Sequence, residues 1–348
     1  MTSESTHKKH IVVVTDAWHP QINGVVTSLE ETSKRLKERG YEVTMIHPGL
    51  FHTVPVPNYP DIHFSVDIHR MQSLLSEANP DYIHIVTEGP LGLAARVYCQ
   101  TTQRAFTSSF HTNFQQYLAM RKIPVLPKIG YRYLRWFHSA SSVTMVTTMA
   151  MKEELEHNKF KNVVISPLGV DTDMFAPRPD ARKGYLKHPI FGYLGRVAKE
   201  KSVEEFLKLS LPGTKLVIGD GPQREALEKK YGKSARFVGF QTGDALVDWL
   251  TQCDVLVMPS RTETFGLVII EALACGIPVA AHNAMGPREI ITQGIDGYMS
   301  EDLAEAAQKC LSLSSTHCRE KALHFSWEAA TDAFTKNLVL VKNHPSQE

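Results

Sequence analysis

Short β-branched runs recur along the whole chain with helical patterns between them, at 10–15, 42–46, 82–86, 105–110, 143–147 and 163–166, then at 190–194, 215–218, 236–238, 255–258 and 278–280. These runs are too short for helices and nearly all apolar, as strands of a parallel sheet covered on both faces should be. The alternation predicts an α/β chain, and its 348 residues are enough for two doubly wound, Rossmann-like domains, each with its own core. Hydrophobic periodicity lapses between 176 and 184, where prolines disfavour helix, so the linker is placed there. The expected domains are 10–178 and 188–323, followed by a helical segment at 325–342. In that segment Trp327, Ala330, Phe334, Leu338 and Val341 fall on one side, so it either caps the second domain or crosses back to the first.

Bulk composition narrows the partners. A formal net charge of +1, with 22% charged and 43% hydrophobic residues, gives no electrostatic reason to expect a nucleic-acid partner. No apolar run precedes Ile11 and none later reaches a membrane span, so neither a signal peptide nor a transmembrane helix is expected. The five cysteines are odd in number and far apart, which suits a reduced cytoplasmic setting and suggests no zinc site.

Several loops could carry chemistry. The first strand runs into a segment ending Asn23-Gly24-Val25-Val26, where a glycine before an amphipathic helix would let backbone approach a phosphate. There is no G-x-G-x-x-G here, so a simple turn is the other reading. In the second half, Arg196 and Lys201 follow the strand 190–194 at the carboxyl edge of the sheet, where such folds bind ligands. Two cations past a glycine suit a diphosphate; solvated loop charges are the alternative. A second glycine-rich loop, Gly219-Asp220-Gly221-Pro222, ends on the same edge.

The stretch PSRTETFGLVIIEA, 259–272, then places Glu263 in a loop and Glu271 about two turns inside a helix starting near Phe265-Gly266 and stopped by Gly276. Counted as helix, the separation of the two glutamates is about 12 Å, the span from a hexose through a diphosphate to a ribose. Carboxylates suit vicinal hydroxyls, and the helix N-terminus between them suits phosphate.

Taken together, the two spaced glutamates, Phe265-Gly266, Gly195-Arg196 with Glu200-Lys201, Gly219-Asp220-Gly221-Pro222 and Asn23-Gly24-Val25 resemble the retaining nucleotide-sugar glycosyltransferases of family four. The resemblance runs from Ile11 to about Trp327, and SFHTNF (109–114) with PLGVDTDMF (167–175) tilts it toward bacterial enzymes that put mannose, glucuronic acid or sulfoquinovose on lipids. It implies the GT-B architecture, two Rossmann-like domains facing across a cleft. It also implies that Arg196 and Lys201 hold the donor diphosphate, that Gly24 approaches the distal phosphate, and that Glu263, with the backbone of Phe265, Gly266 and Leu267, binds the transferred sugar. Glu271 would bind the ribose, Val238 would present backbone to the base, Asp220 would lie on the donor side, and His111 would face the donor sugar. The configuration at the anomeric carbon would be retained by front-face attack, the departing phosphate accepting the proton, with no protein nucleophile.

The resemblance also implies that no metal cofactor is needed. Asp171-Thr172-Asp173 looks like a metal-binding pair of another fold but matches a structural turn of this family.

No Asp or Glu lies between Glu88 and Glu153, whereas Arg96, Arg104, Arg121, Lys122, Lys128, Arg132, Arg135 and Lys152 all do. A helix from Pro127 would line up Lys128, Arg132 and Arg135 with Ile129, Tyr133, Trp136 and Phe137 beside them. Such a stripe suits an anionic lipid surface; a core-packed helix with a solvated basic face is the other reading. Asp16, at the end of the first strand, is grouped with this acceptor or membrane side. The expected partners are a nucleotide sugar, GDP-mannose before UDP-glucuronate, a lipid or glycan acceptor and the inner face of the cell membrane. A UDP-sugar diacylglycerol glycosyltransferase, a non-catalytic nucleotide-sugar sensor and a sugar-nucleotide epimerase are the rivals. A phosphorylase needs a far longer chain, and a dehydrogenase needs the dinucleotide glycine fingerprint, which neither half shows.

Overall fold

A computed structural model describes residues 8–21, 23–56, 59–111, 126–178 and 186–341. The chain divides into two compact units, one formed by the described residues up to Pro167 and from Ala330 onward, the other by Leu168–Ala329.

The first unit runs β1 (His10–Val14), α1 (Gly24–Glu38), β2 (Glu42–Ile46), β3 (Thr53–Val56), β4 (Tyr59–Ser65), α2 (Met71–Ala78), β5 (Tyr82–Ile85), α3 (Pro90–Thr101), β6 (Thr107–Ser109), α4 (Leu126–His138), β7 (Val143–Val146), α5 (Met149–His157) and β8 (Val163–Ile165). Six of its strands form one parallel sheet, ordered β2-β1-β5-β6-β7-β8. Strand periodicity explains why β1 is buried throughout. Ile11 and Val13 pack on one face with Leu29 and Leu36 of α1, while Val12 and Val14 pack on the other with Leu91, Ala95 and Cys99 of α3. Asn23 caps α1, accepting from the amides of Val25 and Val26 at 3.0 and 3.1 Å.

The second unit runs β9 (Ile190–Leu194), α6 (Val203–Lys208), β10 (Thr214–Ile218), α7 (Arg224–Tyr231), β11 (Ala235–Gly239), α8 (Gly243–Leu250), β12 (Val255–Met258), α9 (Leu267–Ala274), β13 (Val279–Ala281), α10 (Met285–Ile290), β14 (Gly297–Met299), α11 (Leu303–Cys310) and α12 (Ser315–Ala322). Its parallel sheet is ordered β11-β10-β9-β12-β13-β14. In each sheet the order reverses once, between β1 and β5 and between β9 and β12. Loops leaving the carboxyl ends of those strand pairs are where an open α/β sheet binds its ligand.

Four differences from the sequence reading have local causes. The antiparallel β3–β4 hairpin and the edge strand β14 were not expected, because Pro55, Pro57 and Pro60 break the first pattern and β14 has only three residues. The units divide ahead of the expected linker: Val170 and Phe175 are buried with Ile190 and Leu216 in the second core, and Arg319 holds the carbonyls of Thr172 and Phe175 at 2.8 and 2.6 Å. Residues 179–184 of the expected linker lie outside the described residues. The last helix, α13 (Trp327–Asn337), ends sooner than 342. The chain then rejoins the first unit in extended form, Leu340 bridging Tyr82 and the Val341 amide donating to the Asp81 carbonyl at 2.8 Å. Phe334 and Leu338 pack on the first unit's core.

Candidate active site

In the second unit, three loops at the carboxyl edge are locked together through backbone. The amides of Gly195, Val197 and Gly219 donate to the carbonyls of Ile218, Asp220 and Gly239 at 3.0, 2.8 and 2.8 Å. This crossing requires Gly219, whose φ is 145° and where a Cβ would meet the Gly195 carbonyl oxygen at 1.9 Å. Tyr193 donates its hydroxyl to the Arg196 carbonyl at 2.7 Å, and Asp220 pairs with Arg224 at 2.7 Å. Val238 falls at a break in the β10–β11 register, which steps from Phe237 opposite Val217 to Gly239 opposite Ile218. A bulge of this kind frees backbone beside a site, although the Val238 carbonyl accepts from Gln241 Nε2 at 2.7 Å.

The β12 loop is fastened to the same edge. Gly286 donates its amide to the Glu263 carbonyl at 3.0 Å, and the Glu263 side chain forms an ion pair with Lys201. Structure thus brings together two residues that lie far apart in sequence. Gly266 takes a left-handed conformation, φ 92°, and no side chain caps α9. The Ile269 amide donates to the Gly266 carbonyl at 2.9 Å, which leaves the amides of Leu267 and Val268 at the helix start as donors for an anion.

Because α9 begins only at Leu267, Glu271 lies about one turn inside it, not two, and helix supplies about 6 Å of the glutamate separation rather than 12 Å. The Glu271 carboxyl is enclosed and has no side-chain hydrogen bond among the described residues. Burial raises its pKa to about 7. Perturbed carboxyls of this kind recur at functional sites.

In the first unit, Gly24 is exposed as the first residue of α1, next to the amides already taken by Asn23. His111 leaves β6 at the carboxyl edge; burial lowers its pKa to about 4, with Glu88 opposing the shift, so it is neutral at pH 7. Asp16 spends its carboxylate within the fold. Its Oδ1 accepts from the Leu91 amide at 2.9 Å and its Oδ2 from Thr87 Oγ1 at 2.8 Å, so both oxygens serve the start of α3. On α4, Arg132, Arg135 and Trp136 are exposed, whereas Phe137 is core and Tyr133 donates to the Glu88 carbonyl at 2.6 Å. The Lys128 and Ile129 side chains, and residues 112–114 of SFHTNF, lie outside what is described. Arg96 drops out of the basic surface: it is buried, donates to the carbonyls of Phe137 and Trp136, both at 2.9 Å, and stacks on the Trp136 ring at 3.8 Å.

Residues 22–174 match the family described as Glycosyltransferase Family 4, and residues 188–316 match Glycosyl transferases group 1. Among curated proteins, the chain is 28% identical to a GDP-mannose-dependent alpha-mannosyltransferase of Mycobacterium tuberculosis, over 83% of each chain. This chain is a family-four glycosyltransferase of the GT-B type. The glycosyltransferase is also 27% identical to the sulfoquinovosyl transferase SQD2 of Arabidopsis thaliana, over 89% of its own length and 69% of the relative's. Its fold matches that of a sucrose-phosphate synthase from Thermosynechococcus elongatus with a TM-score of 0.80 at 20% identity, covering 94% and 98% of the two chains.

Asp171 Oδ1 accepts from the amides of Asp173 and Met174 at 3.1 and 3.0 Å, so this carboxylate closes a turn. Among the described residues no group of three His, Cys, Asp or Glu side chains is arranged to hold a metal ion, and no helix is long and apolar enough to cross a membrane. Sequence reasoning used Glu88 only as the edge of an acid-free stretch. Its place in the loop after β5, at the reversal of strand order, was the available signal.

Proposed function

We propose that the glycosyltransferase moves a hexose, GDP-mannose being the first-choice donor, to a lipid or glycan acceptor with retention of configuration and without a metal cofactor. The mannosyltransferase relative, matched over most of both chains, is the observation that carries the donor. The site chemistry agrees with it. Arg196 and Lys201 receive the diphosphate, the open start of α9 adds amide donors, Glu263 takes sugar hydroxyls and Glu271 takes the ribose. Neutral His111 offers a hydrogen bond to the sugar without a charge, and the departing phosphate accepts the acceptor's proton. A UDP-sugar reading is favoured by the sulfoquinovosyl relative.

Hydrolysis of a panel of GDP- and UDP-sugars by the purified protein tests the donor. GDP-mannose turnover at least tenfold above every UDP-sugar is expected; preference for a UDP-sugar overturns the first choice. The exposed Arg132, Arg135 and Trp136 of α4 support reversible association with the inner, anionic face of the cell membrane.

A further inference from the structure

One carboxylate at the ligand-binding edge of the first unit belongs to no assigned role. Glu88 lies in the loop that leaves β5, and β1 and β5 are the neighbours between which the strand order of that sheet reverses. Loops at such a point form the ligand crevice of an open parallel sheet. The loop after β1 is already committed, since Asp16 turns inward to hold α3. Glu88 is not.

The Glu88 side chain is held from behind by a buried chain of hydrogen bonds. Its Oε1 faces His138 Nε2 at 3.1 Å, and His138 Nδ1 faces Ser108 Oγ at 2.8 Å. Both His138 and Ser108 are buried. The donors and acceptors match along the chain: Ser108 donates to Nδ1, and Nε2–H donates to the carboxylate. The backbone is held as well, the Glu88 carbonyl accepting from Tyr133 at 2.6 Å. His138 and Tyr133 both come from the last turns of α4, so one helix fixes the carboxylate twice.

The second oxygen, Oε2, has no partner among the described residues, and the side chain keeps 18% of its surface exposed. A structural carboxylate buried this far normally uses both oxygens, as Asp16 does in the adjoining loop. A carboxylate with one oxygen pinned and one presented at the edge of the sheet is a preorganised acceptor for a hydroxyl. His111, on the neighbouring strand end, is close enough for Glu88 to act on it electrostatically.

We propose that Glu88, pinned by His138, binds the acceptor through a hydroxyl that neighbours the nucleophilic one. Its free oxygen accepts the O–H hydrogen bond of that neighbouring hydroxyl and so orients the acceptor, while the nucleophile keeps its own proton to give to the departing phosphate. Glu88 is thus an acceptor-binding residue and His138 a positioning residue. The inference rests on the glycosyltransferase reading above, and the ligand class is a polyol, either a sugar or a glycerol backbone.

Glycerol at molar concentration is the probe. With the donor that the hydrolysis panel selects, the purified protein divides product between free sugar, from water, and glyceryl glycoside. Glu88→Gln keeps the shape and an oxygen for His138 but loses the charge, and it is expected to lower the glycoside-to-free-sugar ratio about tenfold while the affinity for the nucleoside diphosphate is unchanged. His138→Gln is expected to move the ratio in the same direction by less. An unchanged ratio in Glu88→Gln, or equal losses of transfer and nucleotide affinity, overturns the proposal, as does a wild type that makes no glyceryl glycoside. A wild type that binds no nucleoside diphosphate overturns the donor reading itself.

Discussion

Glu271, proposed to hold the ribose, works against folding. Burial lifts its carboxyl from the ordinary range to about 7 without a compensating hydrogen bond among the described residues. For an acid with a raised folded-state pKa, the folded state holds the proton more tightly, so stability falls as pH rises from about 4.5 to about 7 and stays lower above that. Glu271→Gln should therefore raise the unfolding free energy at pH 8 by about 1–3 kcal/mol, with little gain at pH 5, as thermal unfolding at the two pH values will show. The same variant should lose nucleotide affinity at pH 8, since only the ionised form accepts two ribose hydroxyls. In the wild type, that affinity should weaken as pH falls below about 7. A Gln variant that is no more stable at pH 8 than the wild type would remove the desolvated carboxylate from the argument.

At the scale of elements, the loops after β9 and β12 are joined by the Lys201–Glu263 pair, whose side chains keep 31% and 15% exposure. Under the proposed function, an incoming diphosphate competes with Glu263 for the lysine. Glu263→Gln should therefore bind inorganic pyrophosphate about three- to tenfold more tightly, the gain expected when a partly solvated competing charge is removed, while hexose turnover falls. Calorimetric titration with pyrophosphate decides this, weaker binding by the variant being the contrary result. Neither partner's sequence neighbours announce the pair, which needs two parallel strands side by side to form. The strands themselves were legible, because β-branched runs such as Ile11–Val14 and Val255–Met258 must be covered on both faces whatever their partners. The start of α9 was not, since Phe265 and Gly266 read as helix until the left-handed Gly266 shifts its origin to Leu267. Glu88 was silent in sequence for a similar reason: its partner His138 lies 50 residues away.

For the whole molecule, a net charge of +1 conceals a strongly uneven distribution. The acid-free segment between Glu88 and Glu153 contains α4, which turns Tyr133 and His138 inward to Glu88 and Arg132, Arg135 and Trp136 outward. A surface that docks on anionic lipid would therefore share a helix with the residues that hold the group proposed to orient the acceptor. Each basic side chain near an anionic surface contributes about 1 kcal/mol, so replacing both Arg132 and Arg135 by Ala should weaken binding to phosphatidylglycerol-rich vesicles about ten- to thirtyfold. Flotation should recover the wild type with anionic but not with neutral vesicles, and 0.5 M salt, where the screening length shrinks to about 4 Å, should release it. Equal recovery with both vesicle types, or none with either, would leave α4 a solvated helix and detach the membrane from the function.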